Sequence, residues 1–153
     1  MPKKPTRSKL VKKLDTVFSQ WVRLSKADKN GYCTCVTCSK KLYWKEIQAG
    51  HFQSRKHYST RWCELNVHPQ CVSCNVFKYG EQYKYSLFLG KEAAEVLYLK
   101  SKEIVKFANS DIEDMIKDYS QRLKKLTWFF SCNIVLCFRA AEMSLFFYLK
   151  IFC

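Results

Sequence analysis

The sequence predicts an α+β fold: a small core of short strands gathered by cysteines, flanked by an N-terminal basic helix and by C-terminal helices. Three observations carry this. Two C-x-x-C pairs, Cys35-Val36-Thr37-Cys38 and Cys71-Val72-Ser73-Cys74, stand 32 residues apart. Apolar residues recur at helical spacing before the first pair, at Leu10, Leu14, Phe18, Trp21 and Val22. Beyond the second pair, from Gly80 to Leu126, the pattern turns helical again. A chain of 153 residues suits one domain with appendages and is too short for a barrel enzyme of about 250. Its 48% hydrophobic content excludes a wholly disordered chain.

Residues 1–30 form a basic leader and an amphipathic helix from about Ser8 to Leu24. Its apolar stripe is suited to packing on a core. Lys9, Lys12, Lys13 and Arg23 occupy the other faces, where they are candidate contacts to a phosphate backbone. Asn30-Gly31 is a turn signal that ends this segment. Residues 31–80 are the core. YCTCVTCSKKLYWKEIQAGHF reads as short strands around a turn, 53–65 as a polar loop, and Asn66-Val67-His68 as a short strand. Residues 81–126 are helical, and Ser110-Asp111-Ile112-Glu113 predicts a capping box at the start of the last helix. Residues 127–153 are an apolar tail with little period. Arg139 and Glu142 interrupt it, which argues against a membrane span. A tail packed on the domain or a partner, or one foreign to the fold after a frame change, is the expectation.

The formal net charge is +14, and it is unevenly placed. Residues 1–80 carry 16 Lys and Arg against 4 Asp and Glu; the remainder carries 11 against 9. Such an excess implies a polyanionic partner, nucleic acid or an anionic membrane. It coincides with the cysteine pairs, which favours DNA over a membrane.

Nine cysteines need an explanation. MPKKPTRSKLVKK lacks the apolar core of a signal peptide, so a reducing cytoplasm is expected, and disulfides are not. Metal binding then leads. A C-x-x-C turn aims two sulfurs at one point, and two such turns supply the tetrahedral thiolate shell of structural Zn²⁺. Cys35, Cys38, Cys71 and Cys74 are the expected ligands, with Cys33 a competitor through Cys33-x-Cys35. Cys63, Cys132, Cys137 and Cys153 read as ordinary thiols.

The segment between the pairs holds Gly50-His51-Phe52, His57, Asn66 and His68, and Asn75 and Lys78 follow the second pair. A neutral histidine beside a metal-scaffolded turn, with asparagines and cations around it, suits phosphodiester hydrolysis. The order Cys-x-x-Cys, Ala49-Gly50-His51-Phe52, Asn66, Cys71-x-x-Cys74-Asn75 and Lys78 resembles the HNH (ββα-metal) nuclease motif on a treble-clef zinc knuckle, in the variant with Asn in place of the last His. CVTC, WKEIQAGHFQSRKHYSTRW, NVHPQCVSCNVFK and KLVKKLDTVFSQWVRL are similar to the NinG (Rap) recombination proteins of lambdoid phages, over roughly residues 8–126. That resemblance implies a phage- or prophage-encoded endonuclease in the cytoplasm of a bacterial host. Its substrates would be branched DNA such as Holliday junctions.

Carried onto this chain, the resemblance makes His51 the general base, Asn66 the residue that positions it, and Asn75 a ligand to a catalytic divalent ion such as Mg²⁺. Arg55, Lys56, Arg61 and Lys78 would contact phosphates. Many HNH enzymes carry an acidic or His ligand directly before the base; here Gly50 stands there, and Gln48 is a weak substitute. His68 could bind metal, contact DNA or only pack, and His57 is a phosphate contact or a plain surface residue. A homodimer would match the two equivalent strands of a symmetric junction. The competing reading is a zinc module that binds nucleic acid as a recombination accessory without cutting it.

Overall fold

The computed structural model describes residues 4–149, with side chains through Trp128 and at Phe130. The first helix, α1 (Arg7–Ser25), buries Leu10, Leu14, Phe18 and Val22, the stripe that the periodicity predicts. The last, α5 (Asn109–Leu149), packs along it through Ile112, Ile116 and Tyr119. Tyr119 meets Phe18 edge-on, with ring centroids 5.0 Å apart, and Trp21 at 5.2 Å. Full burial of each such side chain stabilises by about 2 kcal/mol, so this helix pair is a main source of stability.

Two antiparallel hairpins lie between these helices. β1 (Tyr32–Thr34) pairs with β2 (Lys41–Tyr43), Cys33 opposite Leu42. β3 (Gln48–His51) pairs with β4 (Val67–Gln70), Gly50 opposite His68 and His51 opposite Val67. A π-helical turn, Ser73–Phe77, follows β4. Ala49, Trp62 and Val67 join the α1–α5 core. A second, smaller core gathers Cys33, Cys35, Ile47, Cys71 and Cys74 under Leu42 and Trp44.

Two expectations change and one gains detail. The loop over 53–65 contains one helical turn, α2 (Tyr58–Arg61). The helical stretch after Gly80 is three helices, α3 (Gln82–Leu89), α4 (Lys91–Ser101) and α5. Gly90, at φ 81°, makes the α3–α4 corner, a left-handed conformation that glycine adopts without a Cβ clash. The capping box does not form at Ser110, which lies inside α5. Instead Asp111, in the first turn, accepts the Ala108 N–H at 2.7 Å. Among the described residues no helix is long and apolar enough to cross a membrane. The expectations for the 127–153 tail fall almost wholly on side chains outside the described residues.

Candidate functional site

Cys35 and Cys38 come from the turn between β1 and β2, and Cys71 and Cys74 from the junction of β4 with the π-helical turn. Their four Sγ atoms lie within 4.8 Å of one another, and those of Cys38 and Cys71 are 3.7 Å apart. A tetrahedron with Zn–S bonds of about 2.3 Å separates its sulfurs by about 3.8 Å, so the four could hold a metal such as zinc. Burial opposes charge on Cys35. The Thr37 hydroxyl and the N–H groups of Cys71, Thr37 and Cys38 outweigh it and bring that thiol down to about 6. Without a cation, contacts with the neighbouring sulfurs and desolvation, offset in part by a backbone N–H, push Cys38 up to about 12. Cys33 lies outside the cluster. Its thiol donates to the Arg23 carbonyl at 3.0 Å, and burial pushes it up to about 11.

Beside this cluster, an open groove of about 660 Å³ runs between α1, the β2–β3 connection, β3 and the π-helical turn. His51, Asn75, Gln48, Arg23 and Arg55 line it. The His51 Nε2–H donates to the Arg61 carbonyl at 3.0 Å, and Arg55 Nε donates to His51 Nδ1 at 3.4 Å. These partners assign the tautomer: the proton is on Nε2 and the lone pair on Nδ1. Burial, and then the Arg55 charge, hold His51 down at about 4, so it is neutral at physiological pH.

Asn66 is fully buried and does not bond to the imidazole. Its Oδ1 accepts the Gln53 N–H at 2.7 Å, and its Nδ2 donates to the carbonyls of Gln53 and Thr60, each at 3.0 Å. It therefore clamps the loop that ends at the Arg61 carbonyl. Arg61, expected on a phosphate, is committed elsewhere. Its guanidinium makes a two-pronged pair with Asp15 of α1 at 3.0 and 2.6 Å and donates to the Arg55 carbonyl at 2.9 Å. Trp62 Nε1 adds a 2.9 Å bond to the same carboxylate. Asp15 thus ties α1 to the residue that holds His51, a role the sequence reading missed. Replacing Asp15 with Asn should cost about 1–3 kcal/mol, since a half-buried guanidinium loses its counter-charge. A urea titration of the two proteins measures it; equal midpoints would contradict the role.

Asn75 Nδ2 donates to Gln48 Oε1 at 2.6 Å, which leaves the Asn75 carbonyl oxygen free to ligate. Gln48, the weak candidate, is therefore a direct neighbour of Asn75. Glu46, which the sequence reading passed over, is the carboxylate of the groove lining, and Lys45 is beside it. At Gly50 an added Cβ would stand 2.2 Å from Gln70 Oε1 and 2.8 Å from Gln70 Cβ. Gln70 is buried and held by Gly80 and Thr37, so no side chain fits at position 50.

Arg23 donates to the carbonyls of Trp44 and Ile47, both at 3.1 Å, from the groove wall. Lys12 lies eleven positions before it on α1, and Lys9 three further, close to one helical line through Ser19. Lys13 is exposed about a quarter turn away. Lys56 and His57 line a separate pocket with the end of α4 at Ser101 and the segment 102–105 that follows it. Lys78 is exposed and pairs with Glu81 at 3.4 Å. His68 faces away from the groove, bonded to Lys26 and to the Leu65 carbonyl. Burial, with the Lys26 charge, holds it down at about 4. Lys26 is brought down to about 8 by its own burial.

The family model described as Bacteriophage Lambda NinG protein matches residues 3–128. The chain belongs to the NinG family. No curated protein and no solved structure matches it. The NinG match contains the cysteine cluster, the groove and all of α1, and residues 129–153 lie beyond it.

Proposed function

We propose that this NinG-family protein is a metal-dependent DNA endonuclease of the HNH type, built on a treble-clef zinc knuckle. It would act in phage recombination on branched DNA such as Holliday junctions, within the bacterial cytoplasm. The observation that carries the reading is His51: neutral, fixed as the Nε2–H tautomer, with its lone pair in a basic groove beside Asn75. The strand pair β3–β4 followed by the π-helical turn supplies the two strands and the helical element of a ββα arrangement.

The chemistry follows from these contacts. A phosphate entering the groove draws the Arg55 guanidinium off Nδ1, which frees the lone pair. His51 Nδ1 then takes a proton from the attacking water, and the Arg61 carbonyl stabilises the imidazolium through the Nε2–H. Arg23 and Lys45 hold the neighbouring phosphate oxygens, and Lys9 and Lys12 extend the track along α1. The Asn75 Oδ1, with Glu46 in the lining of the same groove, would hold a hard divalent ion such as Mg²⁺ together with substrate oxygens and water. Mg²⁺ commonly takes few protein ligands. When bound, that ion stabilises charge on the phosphate and on the leaving oxygen.

The test is full-length protein incubated with a labelled four-way junction and with linear duplex, with and without Mg²⁺. Mg²⁺-dependent strand scission, greater on the junction, supports the reading. Binding with no scission under any divalent ion contradicts it and leaves the accessory role.

A further inference from the structure

Immediately after Asn75 the chain sets four apolar side chains into solvent. Val76 lines the groove, and Phe77, Tyr79 and Tyr83 are 73%, 90% and 75% exposed. Among the described residues none of these three rings stacks on another ring. Lys78 and Lys84 alternate with them, both paired to Glu81 at the surface, at 3.4 and 3.5 Å.

The segment is firmly held. The Gly80 N–H donates to the Cys74 carbonyl at 2.8 Å, and the Gly80 carbonyl accepts Gln70 Nε2 at 2.7 Å. One anchor, Cys74, belongs to the cysteine-bearing core, and the other, Gln70, ends β4 directly before Cys71. Tyr79 sits at φ 52°, a left-handed conformation that is unfavourable for a bulky residue. The fold therefore keeps Tyr79 in a costly backbone state and turns its ring almost wholly to water.

We propose that Phe77, Tyr79 and Tyr83 form a stacking ledge for the unpaired bases of a DNA strand whose phosphates run over Lys78 and Lys84 into the groove. Aromatic faces interleaved with cations are what single strands require, because every base has a π-face and every linkage a charge. Continuity with the groove through Val76 and Asn75, and the net positive charge left where two lysines share the single Glu81 carboxylate, favour DNA over a protein partner. The ledge rests on the reading of the groove as a DNA-cleaving site. It adds a preference for substrates that present unpaired bases next to the bond that is cut.

The experiment uses the full chain without added Mg²⁺ and three labelled probes of equal length: a blunt duplex, a single strand, and a duplex with a single-stranded tail carrying 2-aminopurine. Wild type should bind the tailed and single-stranded probes more tightly than the blunt one and quench the 2-aminopurine. The double variant Phe77→Ala/Tyr79→Ala should lose about tenfold in affinity for the unpaired probes, lose the quenching, and keep its blunt-duplex affinity. Tyr79→Trp should retain both. Unchanged affinity for the unpaired probes in the double variant would overturn the ledge, even where Mg²⁺-dependent cleavage of DNA is intact. So would a double variant that dissociates a wild-type oligomer and leaves those affinities alone, since the ledge would then be a protein contact. Failure of wild type to bind any of the probes would overturn the groove reading as well.

Discussion

Cys71→Ser should cost the protein its metal and, with it, the folded state of the β1–β4 core. Four thiols within 4.8 Å of one another form the centre of the smaller core, whose other apolar partners are only Cys33, Ile47, Ala27, Leu42 and Trp44. In such a site metal affinity is folding free energy, on the order of 10 kcal/mol in small zinc modules. A serine oxygen at one corner replaces a thiolate that zinc prefers. Wild-type protein should therefore carry close to one Zn per chain by elemental analysis. The variant should fall well below that and lose the cooperative thermal transition of the core. Cys33→Ser is the control. Its thiol bonds only to the Arg23 carbonyl, so zinc content should be unchanged while stability falls modestly. Full zinc in Cys71→Ser would contradict the ligand set.

His51→Ala should lower Mg²⁺-dependent strand scission by about 10²–10⁴-fold, the contribution expected of a positioned general base. DNA affinity should change far less, because in the proposed mode the phosphate contacts would come from Arg23, Arg55 and the α1 lysines. Rates at saturating protein, compared with binding isotherms from the same preparations, separate the two effects. Loss of affinity in proportion to rate would make His51 a binding residue. The Asp15→Asn protein should lie between wild type and His51→Ala in rate, since it loosens the Arg61 carbonyl that holds the imidazole.

The elements and residues that the sequence made legible are those whose signal is local. The C-x-x-C spacing placed all four cluster cysteines, because two sulfurs three residues apart meet at one point in any tight turn. The Leu10, Leu14, Phe18, Val22 stripe placed α1 and its buried face, because packing on α5 uses the helical period directly. What stayed hidden depends on partners distant in the chain. Arg61 is a cation in a basic loop, and nothing nearby announces that Asp15, 46 positions earlier, takes its charge. Asn66 sits beside the strand that pairs with His51's own, yet its amide serves the loop backbone, which only the folded loop reveals. The absence of a side chain at Gly50 follows from Gln70 on the facing strand, so it needs the β3–β4 register. The π-helical turn has no composition signature to distinguish it from an ordinary helix start. The apparent capping box failed because α5 already begins at Asn109, which puts Ser110 inside the helix, and Asp111 accepts the Ala108 N–H at its start.

The central claim is that His51 works as a half-buried, neutral base. The most direct test is the pH dependence of kcat/KM for scission, which reports ionisations of the free enzyme. Burial and the Arg55 charge hold His51 down at about 4, so the protonated, inactive form is scarce until pH falls towards that value. The account predicts that kcat/KM shows no loss from histidine protonation as pH is lowered from about 7 to about 5.5, against the ordinary histidine value of about 6.5. A rate that falls nearly tenfold per pH unit below about 6.5 would mean an exposed, ordinary histidine, and would contradict it.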